Sequence, residues 1–218
     1  LDWVEVEGPI LTDEDLKKRE GLYPSKEDLA EARASLKRFA DRAWRRPATD
    51  LEIDRYVKIV ESEMTAGEKF HSAYMAAMSG VLVSKNFYYI TEGSVAKPRD
   101  TVNEFELATR LSYLLWGSMP DLALLDETKA GKLKTPEGLK AQMSRMIADK
   151  KISRFTDAFP KQWLQLHKVG MFPPDPKLYP DYDNWLEQSM ILESSSFFGE
   201  VFAKNLSIRE FLDSKWTM

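Results

Sequence analysis

The sequence predicts an all-α protein, a multi-helix bundle of two packed helical units with one short strand-like segment at its N-terminus. Three observations predict it. Hydroxyl residues recur three places ahead of glutamates, apolar residues repeat with a helical period, and Gly or Pro stops follow those repeats.

LDWVEVEGP (1 to 9) alternates like a strand but has no hairpin partner after it, and a lone strand is marginal in water. The chain is therefore expected to begin partway through a larger protein. Helices are expected at 13 to 19, 27 to 45, 50 to 63, 66 to 85, 102 to 116, 121 to 130, 136 to 149, 152 to 167, 182 to 204 and 208 to 213. Their starts are read from Thr49 with Glu52, Thr65 with Glu68, Thr101 with Glu104 and Ser207 with Glu210. In each pair the hydroxyl can accept from a free helix amide while the carboxylate reaches back to the cap residue. Ser25 with Asp28 is a weaker relative, and Thr135 before Pro136 is a start of another kind, since proline at the first helical position gives up a donor that had no partner. Pro47, Gly117 with Pro120, and the run MFPPDPKLYPD supply stops. SVAKPRD (94 to 100) reads as the join, so residues 1–9 are expected to be a strand remnant, 10–98 a first helical domain and 99–218 a second one.

Composition narrows the function classes. At 218 residues with 43% hydrophobic and 30% charged side chains, the chain matches a folded globular protein. The net charge is −4 with both signs interspersed, which argues against nucleic-acid binding. Arg38, Arg42, Arg45 and Arg46 form the densest basic cluster and are expected on a solvated helix face. Cysteine is absent, which removes disulfides, thiolate nucleophiles, cysteine-ligated metals and covalently attached c-type haem from this chain. FHSAYMAAMSGVLVS (70 to 84) is apolar but shorter than the ~20 residues a membrane span needs.

Three helices carry the candidate chemistry. At about 100° per residue, Phe105, Leu107, Ala108, Leu111, Leu114, Leu115 and Trp116 cover an arc of roughly 200°, so this helix is expected to be central. The helix at 66 to 85 gathers small residues (Ser72, Ala73, Ala76, Ala77, Gly80) on one flank and Tyr74, Met75, Met78, Val81 and Leu82 on the other, with His71 among the large ones as a weak candidate haem ligand. The helix at 182 to 204 is expected to bury Leu186, Met190, Ile191, Phe197, Phe198, Val201 and Phe202. Its other face carries Glu193 and Glu200, two turns or about 10 Å apart along the axis. Their carboxyl groups could converge to the ~6.5 to 9.5 Å used in inverting glycoside hydrolysis. No metal site is expected, and no GxSxG elbow, HExxH or phosphate-cradling glycine loop is present.

ELATRLSYLLWGSMPD (106 to 121), LLDETKAGKLKTP, QWLQLHKVG, PDPKLYPDYD and LESSSFFGEVF occur in the order of the planctomycete cytochrome-c-associated multidomain proteins and resemble that family. LKRFADRAWRRPATDLEIDRYV and MSGVLVSKNFYY resemble the helical domain that precedes the first set in such proteins. LDWVEVEGP resembles the last strand of their β-rich, carbohydrate-binding-like module, and SKWTM resembles a point where the second domain continues. The resemblance implies tandem helical domains of unknown function, a location outside the cytoplasm (periplasmic or secreted), and partners within the same protein: the β-rich domain and a c-type haem domain, with polysaccharide as a further ligand. It transfers no catalytic residue, and the haem-attachment motif is missing from these residues. The leading expectation is a non-catalytic scaffold or interaction module; the alternatives are a glycan-active enzyme using Glu193 and Glu200, or a glycan-binding module using Trp163, Trp185 and Trp216.

Overall fold

A computed structural model describes residues 12, 22–93 and 98–218. Among the described residues the chain is all-α, with nine α-helices, three short 3-10 turns and no strand. The strand at 1 to 9, the helix at 13 to 19 and residues 94 to 97 of the expected join lie outside the described residues. The chain forms two compact units, Leu1–Phe105 and Glu106–Met218.

The first unit contains α1 (Leu29–Ala43), α2 (Asp50–Thr65), α3 (Phe70–Leu82) and the single turn α4 (Lys85–Tyr88). α2 and α3 pack most extensively, and α1 lies against both. Ala32, Leu36, Ala40 and Ala43 recur at helical spacing and turn inward with Ile53, Val60, Ala73, Tyr74, Ala77 and Val81. The buried alanines let the three backbones approach closely. Tyr74 sits deep in this core and donates to the Leu22 carbonyl at 2.8 Å; burial pushes its phenol up to about 12.

The start signals divide. Thr49 and Glu52 form the expected reciprocal cap, with the Thr49 amide donating to Glu52 at 2.9 Å. At the head of α1 the cap is Asp28, which accepts from the Glu31 amide, while Ser25 donates to the Glu31 carboxylate. Thr65 caps nothing: it ends α2 and donates back to the Glu61 carbonyl. Gly67, at φ 98°, takes the left-handed turn that stops α2, so Thr65 falls on the wrong side of the break and α3 begins without a side-chain cap. The expected size-sided packing of α3 also changes: Ala73, Tyr74, Ala77, Met78 and Val81 share the buried face, while Met75 and Leu82 are exposed. Arg38 and Arg42 are exposed as expected, but Arg45 is buried.

The second region runs through α5 (Glu104–Trp116), α6 (Leu122–Lys129), α7 (Pro136–Ala148), α8 (Ser153–Trp163) and α9 (Asn184–Ala203). α5 starts at Glu104 itself, so Thr101 lies too far upstream to cap it. Thr135 accepts from the Gly138 amide with Pro136 at the first position, as read from the sequence. Ser207 opens only a 3-10 turn, Ile208–Phe211, and Glu210 binds Trp216 rather than reaching back.

Leu111, Leu115 and Trp116 are buried with Ala108, Leu124, Leu133 and Met146. Leu114 is 59% exposed, so the apolar arc of α5 is narrower than its leucines implied. The Trp116 indole donates to the Met146 carbonyl at 3.0 Å, and Lys151 and Arg145 lie over its ring. Asp121 caps α6 and accepts two bonds from Arg145, at 2.8 and 3.0 Å. Burial raises the Asp121 carboxyl, but the Arg145 guanidinium and the Leu124 amide outweigh it and hold the group below the ordinary range. These contacts tie α5, α6 and α7 into one core.

Candidate functional site

The site is built where α8 meets α9 and the turn at Ile208–Phe211. Phe155, Phe159 and Trp163 repeat every fourth residue and line one face of α8. That face meets Phe198 and Phe202 of α9, with Phe155 5.9 and 5.5 Å from them, ring centre to ring centre. Phe211 closes the cluster, packed flat on Phe198 at 5.7 Å and edge-on to Trp163 at 5.6 Å. Trp216 stacks on Phe197 at 4.3 Å and donates its indole N–H to Glu210 at 3.0 Å.

α9 does not bury the stripe expected of it. Phe198 and Val201 are buried with Ser195, whereas Leu186, Met190 and Leu192 face solvent. The cause is length. α8 has 11 residues and α9 has 20, about 16 against 30 Å of helix, so α8 covers only the C-terminal half of its neighbour. The chain between them does not fold back as a lid: none of the residues from 161 to 194 is buried.

An open hollow of about 340 Å³ remains at the junction, lined by Trp163, Leu164, Glu193, Ser194, Phe197, Phe198 and Phe211. Trp163 is 51% exposed at its edge. Glu193 stands at the rim and accepts from the Thr217 hydroxyl, and the Ser194 hydroxyl is occupied by the Met190 carbonyl.

Of the residues singled out from the sequence, Glu193 and Trp163 come together here. Glu200 does not line the hollow; it pairs with Lys204 one turn on. Trp185 projects from the first turn of α9, 80% exposed, and Trp216 is half-buried against Phe197. His71 belongs to the first unit, where it is exposed and stacks on Tyr23 at 5.5 Å. Among the described residues no group of three or more His, Cys, Asp or Glu is arranged to hold a metal ion, and no helix is long and apolar enough to cross a membrane. Sequence reasoning missed Phe211 and the hollow itself. The four-residue spacing of Phe155, Phe159 and Trp163 was the available signal for an aromatic face.

Comparison with known proteins gives two family matches. Residues 102–218 match PSD4, a protein of unknown function (DUF1592), and residues 31–92 match PSD5, a protein of unknown function (DUF1595). No curated protein and no solved structure matches the chain.

Proposed function

We propose, for a chain that belongs to the PSD4 family of proteins of unknown function (DUF1592), a role in interaction rather than chemistry. It is a helical scaffold whose second unit uses its aromatic end to hold another domain of a larger protein. The setting drawn from the sequence resemblance supplies the occupants: a cytochrome-linked planctomycete protein outside the cytoplasm, with a c-type haem domain and a β-rich, carbohydrate-binding-like domain.

One observation carries this reading. The stretch from 161 to 194 contains no buried residue, yet it presents Trp163, Phe172, Leu178, Trp185 and Leu192 to water, with Phe172 86% exposed. Fully covering an aromatic side chain contributes ~1.5 to 3 kcal/mol. A run of such side chains left bare beside a well-packed core favours a face that a partner covers.

Hydrolysis by a carboxylate pair would require Glu193 and Glu200 in one cleft, and the hollow's lining includes only the first. The rings of Trp163 and Trp185 favour a second reading in which a polysaccharide takes the same face. The test uses the larger protein carrying the substitutions Phe172→Asp and Trp185→Asp. Proteolysis within 164 to 183 is expected to speed up roughly tenfold, while the stability of the 218-residue chain alone moves by less than ~0.5 kcal/mol. Equal cleavage of variant and parent would overturn the domain-holding role, and retention of the parent chain on a polysaccharide gel, lost in the variant, would select the second reading.

A further inference from the structure

We infer that the hollow between Trp163, Phe197, Phe211 and Glu193 receives the ammonium group of a lysine side chain presented by the docking partner. The inference deepens the interaction reading and rests on it for the presence of a partner.

The first support is charge. On α8 and α9 the carboxylates Asp157 and Glu200 each pair with a lysine four residues later, Lys161 and Lys204. Four residues after Glu193 stands Phe197 instead, and among the described residues no cationic side chain pairs with Glu193. Among the described residues its hydrogen-bond partner is the Thr217 hydroxyl, which contacts Oε1.

The second support is the lining. Aromatic rings carry negative faces and attract a cation lying within about 6 Å of the ring centre, and a carboxylate beside them supplies the counter-charge. Trp163 and Phe211 meet edge-on at 88°, so their faces form a corner rather than one flat platform. A corner suits a compact head group, whereas a sugar needs a plane and several directed hydrogen bonds. The Ser194 hydroxyl donates to Met190, and Glu193 is the charged side chain among the residues lining the hollow. Its volume of about 340 Å³ admits an alkylammonium stem and head.

The test titrates the 218-residue chain with n-butylammonium, n-pentanol and choline while following the Trp163 indole N–H resonance, assigned with Trp163→Phe. Butylammonium is expected to bind saturably at on the order of 1 to 10 mM, with pentanol at least about tenfold weaker. Glu193→Gln, of nearly unchanged shape, is expected to weaken butylammonium about tenfold while leaving the helical circular dichroism intact. Equal binding of pentanol, no saturation by butylammonium, or an unaffected Glu193→Gln would overturn the site. Choline binding more than about tenfold tighter than butylammonium would overturn the lysine in favour of a quaternary head group. Failure here with the cleavage difference of the preceding subsection intact removes the lysine and keeps the docking face; failure of both removes the face as well.

Discussion

Arg45 follows the last turn of α1 at φ 60° and is only 5% exposed. Its guanidinium donates to the carbonyls of Asn86, Phe87 and Tyr89 at 2.9, 3.2 and 3.2 Å, and to Ala43 at 3.2 Å. It thus satisfies the open end of α4 from forty residues away, which its place in a basic run could not reveal. Arg45→Ala removes those donors and keeps a strained backbone angle, so we expect a loss of ~2 to 4 kcal/mol in urea unfolding. Neighbouring Arg46 makes two bonds to Glu52, at 3.0 and 2.7 Å. The Arg46 hydrogen bonds, opposed by burial and helped by Thr49, draw the Glu52 carboxyl down from 4.5 to about 2. Because the folded value lies below the unfolded one, this stabilisation is complete above about pH 4.5 and disappears as pH falls toward 2. Glu52→Gln should therefore flatten the acid limb of stability in that window, checked by thermal melts across it.

At the scale of single elements, α5 tests the packing most simply. Leu111→Ala should cost ~2 to 5 kcal/mol in denaturant melts, since the site is enclosed by Trp116, Leu124 and Met146 and cannot easily collapse. A loss below ~1 kcal/mol would place α5 at the periphery. The same helices show what was legible and why. Period and caps located α2 and α7 because those signals are local: Thr49 with Glu52 and Thr135 with Pro136 act within one turn. Thr65 with Glu68 has the same spelling, but Gly67 between them sets the chain's direction first. The buried side of α9 was not legible, because it is apolar on most sides and the shortness of α8, not its own pattern, decides which half is covered.

At the scale of the whole chain, the fold class and its two-unit character follow from short-range chemistry, while the candidate site does not. Trp163, Glu193 and Phe211 come from three separate elements, and only packing brings them to one hollow. Glu193 and Glu200 look paired on a helical projection, yet the nearest lysine claims Glu200. The central claim is that the face spanning 161 to 194 is meant to be covered by a partner. The most direct measurement is amide hydrogen exchange, comparing the 218-residue chain alone with the same residues inside the larger protein proposed above. Amides in the first half of α9 are expected to exchange at least about tenfold more slowly in that larger protein, while those around Leu111 and Trp116 are unchanged. Identical exchange across 161 to 194 in the two proteins would contradict that claim.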